Sequence, residues 1–240
     1  MVVAAGDIVN DIDVADQTGR LAANQQPNLV LVLGDNQYPD GSLARYRTQY
    51  DRTAWGRLKP ITKPVPGNHE YVTAGAAGYF TYFDHVPAYY AYDAGCGWRG
   101  YALNSEIDLA PQLAWLRGDL AAHPDAAVLA SWHKPRWSSG AEHGSNPEMQ
   151  PLWAALAGRS GVVLNGHEHN YERFTPGDGV REFVVGTGGS SQYAFGAVAP
   201  GSERRIARTP GVLRLDLQPH SRYHWDFLNV AGSSADSGGG

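Results

Sequence analysis

Five short stretches of this chain each place a residue able to bind a metal directly after an apolar, strand-like run. They are Gly6-Asp7, Gly34-Asp35-Asn36-Gln37-Tyr38, Gly67-Asn68-His69-Glu70, Trp132-His133 and Gly166-His167-Glu168-His169. The runs before them cover residues 2–5, 29–33, 61–65, 127–131 and 162–164. In open α/β sheets, ligands bind outside the carboxyl ends of the strands, so five strand ends can converge on one crevice. Seven side chains there (Asp7, Asp35, Tyr38, Asn68, His133, His167 and His169) would suit two metal ions. Paired ions are a device of phosphoester hydrolysis.

A two-ion site needs an anion shared by both ions and a ligand set for each. Asp35 follows the most apolar run and is the candidate bridge. Tyr38 lies three residues further on in the same loop, where its hydroxyl can fold back to the same ion. With Asp7 and His169 it makes a set of two carboxylates and one phenolate around Asp35. Three anionic ligands favour a hard trivalent cation, and Fe(III) binds phenolate well. The other set, Asn68, His133 and His167 with Asp35, carries less charge and is rich in imidazole, which suits Zn(II), Mn(II) or Fe(II). His167 and His169 alternate in an extended segment, so their side chains can diverge to different ions. His69 adjoins Asn68 and is too constrained to ligate as well. It is the candidate general acid, projecting toward the leaving group. Singly, each element is ordinary: Gly-Asp pairs are turn chemistry, and a lone strand-end histidine more often serves a core hydrogen bond. Their joint occurrence, in one order and with complementary ligand types, carries the reading.

The elements that must position these residues follow from the pattern of apolar runs. The chain has 240 residues, 42% of them hydrophobic, which fits one domain with a sizeable core. Strand and helix alternate through the first half. Residues 12–25 read as a helix with Asp11 or Asp13 as cap, and Ser42 as cap of a helix through Thr53. The run 61–65 holds Pro64 and is flanked by Pro60 and Pro66, which predicts a short or edge strand. Residues 71–88 read as aromatic loop, either a pocket rim or core packing. A hairpin is expected around 94–97, an amphipathic helix from Pro111, a further helix over 147–157, then mainly strands: 182–185, 212–217 and 223–230. This predicts an α/β protein with two mixed β-sheets packed together and helices outside. Residues 1–230 form the expected catalytic domain. The small, polar residues 231–240 are expected to be a flexible C-terminal tail.

Net charge is −5, and no basic run or basic-aromatic patch appears, which argues against a nucleic acid partner. No apolar stretch reaches membrane-spanning length. Cys96 is the sole cysteine, expected as a buried or partly buried free thiol. The chain starts with Met1 directly into a strand-like run, so no signal peptide is expected within it.

On these motifs the chain resembles the calcineurin-like metallophosphoesterases, and within them the purple acid phosphatases. Gly-Asp, Gly-Asp-x-x-Tyr, Gly-Asn-His-Glu, a lone His after a strand and Gly-His-x-His stand in the family's order, and the resemblance covers most of residues 2–230. The broad superfamily usually begins with Asp-x-His. Here Val9 stands in place of that histidine and Tyr38 offers the replacement ligand. The resemblance implies a four-layer αββα sandwich and an Fe(III)–M(II) centre. It also implies phosphoester hydrolysis by a metal-bound hydroxide, with inorganic phosphate as product and a small phosphorylated molecule as substrate. Asp7, Tyr38 and His169 match the iron ligands, Asp35 the bridge, and Asn68, His133 and His167 the second-ion ligands. His69 matches the histidine near the leaving group. His143 stands in the loop where relatives place phosphate-contacting histidines, often as a pair; here Glu142 precedes a single His143. Asn68 and His143 are thus the expected substrate contacts. Family relatives are often secreted, which makes an extracytoplasmic setting the expectation. Phosphomonoester hydrolysis is favoured, with phosphodiester hydrolysis at the same centre as the alternative. A metal-stabilised binding protein is the rival of another class, and His69 argues against it.

Other residues carry weaker signals. Glu70 reads either as an orienting partner of His69 or as a surface acid. Lys134 and Arg136 flank His133 and read as substrate contacts or as loop cations. Residues 186–191 are glycine-rich and read better as a close backbone approach than as a phosphate cradle, since the P-loop lysine is missing. Glu172 and Arg173 read as structural.

Overall fold

Successive residues of the first two strands feed two different cores. In β1 (Val2–Ala5), Val2 and Ala4 face one cluster and Val3 and Ala5 another. The second strand, separated from β1 by α1 (Ile12–Asn24), is β2 (Leu29–Leu33), and it divides in the same way: Leu29, Leu31 and Leu33 against Val30 and Val32. Strands buried on both faces read as unbroken apolar runs, which is why these two are legible. The computed structural model describes residues 1–240. After β2 come α2 (Leu43–Thr48), α3 (Ala54–Leu58), β3 (Thr62–Val65), α4 (Asn68–Val72) and α5 (Ala77–Tyr82). The hairpin β4 (Tyr90–Gly95) and β5 (Trp98–Ala102) follows, then α6 (Leu109–Ala122), β6 (Ala127–Ser131), α7 (Gln150–Leu156) and β7 (Gly161–Asn165). The chain continues through β8 (Tyr171–Phe174), β9 (Val180–Val185), β10 (Ser202–Ile206), β11 (Gly211–Leu217), β12 (Tyr223–Asn229) and β13 (Ser234–Gly239).

These strands form two mixed sheets, in the orders β13-β12-β11-β1-β2-β3 and β10-β8-β9-β7-β6-β5-β4. The central core lies between them and contains Leu31, Leu33, Leu129, Leu164, Phe183, Leu213 and Phe227. A second core, with Val30, Val32, Tyr46, Trp55 and Tyr79, packs α1, α2, α3 and α5 on the outer face of the first sheet. A third, with Leu113, Leu116, Leu152, Trp153 and Val163, packs α6 and α7 on the other. The result is the expected αββα sandwich. Its parallel strands β1, β2, β3, β6 and β7 end at one edge, where the five motifs lie. No helix is long and apolar enough to cross a membrane.

Local signals set most element starts. The Asp11 side chain accepts from the Asp13 and Val14 amides and caps α1, a bond worth about 1 kcal/mol. Pro64 is tolerated because β3 is an edge strand. The Ser42 helix ends at Thr48 rather than Thr53, and Ser42 makes no side-chain cap; its amide instead donates to Asp40. Asp108 caps α6, which begins at Leu109, two residues before Pro111; the proline then sits in the first turn, where its missing donor costs nothing.

Three further expectations change. Residues 71–88 are mostly helical, and Tyr79, Tyr82 and Phe83 pack into the second core against Tyr46 and Tyr50. Cys96 is exposed, because it occupies a turn position with φ +53 between the strands of the hairpin. Residues 234–239, expected as part of a flexible tail, form β13, paired antiparallel with β12. Composition misses this because the partners are distant. Asp236 accepts from Tyr171 (2.7 Å), Arg173 (2.7 Å) and Trp225 (3.3 Å), which ties the strand down.

Candidate metal centre

The loops after β1 and β2 run side by side. The Asp7, Ile8 and Val9 amides donate to the carbonyls of Gly34, Asp35 and Asn36. This pairing brings Asp7 and Asp35 together, and both are fully or almost fully buried. Asp7, Asp35 and His167 have positive φ (+58, +48 and +72), a conformation that costs a non-glycine residue energy and is concentrated at functional sites. Gly34 has φ +87 and lies directly against His133: a Cβ there would come within 2.4 Å of the ring.

Each carboxylate has one oxygen tied to backbone and one facing the cleft. Asp7 Oδ2 accepts from the His167 amide (2.9 Å), which leaves Oδ1 3.0 Å from the Tyr38 hydroxyl and 3.3 Å from His169 Nε2. Asp35 Oδ1 accepts from the His69 amide (2.8 Å). Asp35 Oδ2 is then 3.2 Å from the Tyr38 hydroxyl and 3.3 Å from His133 Nε2. The Tyr38 hydroxyl is also 3.1 Å from His169 Nε2. On the other side His133 Nε2 is 3.2 Å from both Asn68 Oδ1 and His167 Nδ1. Two groups of donor atoms result, and Asp35 Oδ2 belongs to both.

Backbone carbonyls fix the imidazole tautomers. His133 Nδ1 donates to Leu33 O and His169 Nδ1 to Ser191 O, each at 2.8 Å. A carbonyl only accepts, so in the neutral rings both Nε2 atoms carry lone pairs aimed into the cluster. His133 Nε2 thus faces an amide oxygen, a carboxylate oxygen and another imidazole nitrogen. Such a gathering of acceptors calls for a cation. In the protein alone a proton serves: burial opposes it, but the Asp35 charge prevails and lifts His133 to about 10. Burial would raise Asp35, yet the His133 charge and hydrogen bond hold it well below the usual carboxylate range. His167 is driven down to about 2, by burial first and the His133 charge second. Burial and the Asp7 and Asp35 charges push the Tyr38 phenol well above its usual value, so a phenolate there needs a cation beside it. The donor set fits two metal ions, one with the hard anionic group and one with the imidazole group.

The remaining expected residues border this cluster. His69 Nδ1 lies 2.8 Å from Pro39 O, so Nε2 faces the cleft, 3.9 Å from Asp35 Oδ2. Its ring rests 4.2 Å from that of Tyr38. His143 stacks on His167 at 4.2 Å. Lys134 is held by Glu106 (2.8 Å) and Arg136 by Gln150 (2.6 Å), so neither is free at the cleft. Residues 186–191 run against β1 and its loop, with the Gly188 amide donating to Gly6 O and the Ser190 amide to Asp7 O. Glu172 is buried and bound to Ser139 and Ser202, a structural role.

Glu70 fits neither of its expected readings. It is fully buried. Its Oε1 accepts from the amides of Asn36 (2.9 Å) and Gln37 (3.2 Å) and from the Tyr46 hydroxyl (3.0 Å). Its Oε2 accepts from the Gly67 amide (2.7 Å). It thus ties the loop of Asp35 and Tyr38 to the loop of Asn68 and His69. Burial, then the Asp35 charge, raise its carboxyl to about 8 against the pull of the Gly67 amide. Tyr193 was not singled out in the sequence; its ring stacks on His169 at 4.2 Å and it forms a wall beside His143. The only sequence signal for it is its position just past the glycine-rich stretch.

Fold and cluster together are those of a calcineurin-like αββα sandwich. The chain belongs to the calcineurin-like phosphoesterase family, whose model matches residues 1–171. It is 26% identical to purple acid phosphatase 15 of Arabidopsis thaliana, over 94% of this chain and 53% of that protein. This chain therefore spans about half the length of that relative. Its fold is similar to that of the purple acid phosphatase PPD1 from yellow lupin, with a TM-score of 0.80, 20% identity, and coverage of 99% of this chain and 53% of that one. It is also similar to GAP50, the anchor in the inner membrane complex of Plasmodium, with a TM-score of 0.75, 14% identity, and coverage of 99% and 87%.

Proposed function

We propose that this protein is a dinuclear metal-dependent phosphoester hydrolase acting on small phosphomonoesters. The observation that carries the reading is the convergence of potential ligand atoms in two groups that share Asp35 Oδ2. Asp7, Tyr38 and His169 would hold Fe(III), and Asn68, His133 and His167 would hold Zn(II), Mn(II) or Fe(II), with Asp35 common to both. Bound there, the ions would neutralise phosphoryl charge and supply a nucleophilic oxygen from water at neutral pH.

The chain's own groups do the rest. His69 keeps Nδ1 occupied by Pro39 O, which leaves Nε2 to carry a proton to the departing alkoxide. Asn68, beside His133, and His143, stacked on His167, would contact the phosphoryl oxygens. Tyr193 and the stacked imidazoles of His143, His167 and His169 form a wall beside the cluster. The likeness to purple acid phosphatases supports the preference for monoesters. His69 also speaks against a purely metal-stabilised binding protein, which has no use for a proton carrier outside the ligand set.

The test is turnover of an aryl phosphate monoester and the matching diester by the metal-loaded protein, with metal content assayed alongside. Monoester hydrolysis by protein holding about two ions per chain is the expected result. A diester preference would move the reading to a phosphodiesterase. Full metal content with no turnover of either substrate would overturn it.

A further inference from the structure

Three buried glutamates hold the loop that carries His143. Glu182, on β9, accepts from the amides of Arg136 (2.8 Å) and Trp137 (3.2 Å). Glu172, on β8, accepts from the Ser139 amide (2.7 Å) and from the hydroxyls of Ser139 and Ser202 (2.5 Å each). Glu168, between His167 and His169, accepts through Oε1 from the amides of His143 (2.7 Å) and Gly144. All three glutamates are 0% exposed. Loop amides are ordinarily left to water. Here five of them along residues 136–144 go to buried glutamate carboxyl groups.

Glu168 stands apart from the other two. It is bonded to the residue that bears the imidazole and lies between two members of the metal cluster. The loop crosses it at Gly140, where a Cβ would come within 2.1 Å of the carboxylate, so any side chain there would displace it. Its Oε2 is buried without a hydrogen-bond partner. Burying a carboxylate with one oxygen unsatisfied costs stability. What the arrangement secures is the His143 backbone. The His143 ring is placed by its stack on His167 (4.2 Å, 22°) and its edge contact with Tyr193 (5.8 Å).

We infer that Glu168 is a positioning residue, which anchors the His143 backbone so that the imidazole stands ordered against His167 before a phosphoryl group arrives. The inference rests on the reading of His143 as a substrate contact. The loop is then preorganised, and binding need not bear the cost of ordering it. Gln at this position keeps one carbonyl oxygen for the two amides, whereas Ala keeps none.

The experiment measures inorganic phosphate binding to the metal-loaded protein by calorimetry, and amide hydrogen exchange at residues 143 and 144. Glu168→Ala should weaken phosphate binding about tenfold, speed exchange at both amides and leave metal content unchanged. Glu168→Gln should restore both properties to near wild type. In the double variant with His143→Ala, the loss should not exceed that of His143→Ala alone, because Glu168 acts through that ring. Should the alanine variant fail to fold, Glu168→Asp, one methylene shorter, carries the same expectation. If His143→Ala weakens phosphate binding and Glu168→Ala does not, or if the two losses add, the positioning role is overturned and the wall stands. If His143→Ala leaves phosphate binding intact, the substrate-contact reading of His143 falls, and this inference falls with it.

Discussion

Replacing Glu70 by alanine removes the acceptor of four buried donors at once: the amides of Asn36, Gln37 and Gly67 and the hydroxyl of Tyr46. A buried donor left unpaired costs about 1–3 kcal/mol. Four of them give a loss of about 4 kcal/mol even at the lower bound. A domain of this kind is stable by only about 5–15 kcal/mol, so the effect would be severe. Glutamine separates the hydrogen-bond account from simple loss of volume. It can keep Oε1 for three of the donors and set its NH₂ group against the Gly67 amide alone. Its cost should therefore be that of one donor, about 1–3 kcal/mol. The assay is urea unfolding followed by tryptophan fluorescence, with the m-value checked for constancy so that the midpoint reports stability. Because the donors belong to the loops of Asp35, Tyr38 and Asn68, the alanine variant should also lose bound metal. Equal losses for Ala and Gln, or losses within about 0.5 kcal/mol of wild type for both, would refute the four-donor account.

Four further outcomes follow from the same geometry. Asp35→Asn should lower metal occupancy in both groups and abolish hydrolysis, read by metal assay and turnover; two ions retained with normal turnover would exclude a shared Asp35. Tyr38→Phe should remove the visible phenolate-to-Fe(III) absorption band of the iron-loaded protein and weaken iron retention more than retention of the second ion; a band that survives would show that Tyr38 is not a ligand. His69→Ala should keep both ions and slow turnover by about 10²–10⁴-fold. That loss should be larger for alkyl than for acidic aryl leaving groups, and a loss independent of leaving-group pKa would count against the acid role. Burial lifts Glu182 to about 8, against the pull of the Arg136 and Trp137 amides. A carboxyl raised in the folded state contributes stability below its unfolded pKa and loses it as pH rises through the folded value. Wild type should therefore lose stability relative to Glu182→Gln from about pH 4.5 to about pH 8, and parallel pH–stability curves would contradict this.

The elements that position the site were legible where the apolar signal is continuous. The runs ending before Asp7, Asp35 and His133 are buried on both faces, so they stand out without any knowledge of pairing. By contrast β8 and β10 are rich in charge, and their polar residues are accommodated by partners far along the chain, such as Arg173 with Asp236 and Glu203. The same holds for β13, whose small polar residues give no local reason to be ordered.

The sequence by itself determined which residue types stand at the strand ends, and with them the chemistry available to the cleft: carboxylates, a phenol, an amide and imidazoles in a known order. That information is local, because a ligand's chemistry belongs to its side chain and its place after a strand is written in the preceding run. Tertiary structure alone decided which oxygen of Asp35 faces both groups, which nitrogen of each imidazole is free, and what the acids do. Glu168 and Glu182 carry no assigned role in the sequence, and Glu70 reads there only as a partner of His69 or a surface acid. Their roles come from amides that the fold brings to them from 34, 25 and 46 residues away. A buried carboxylate acquires its meaning only from its partners, and the chain's path through space is what supplies them.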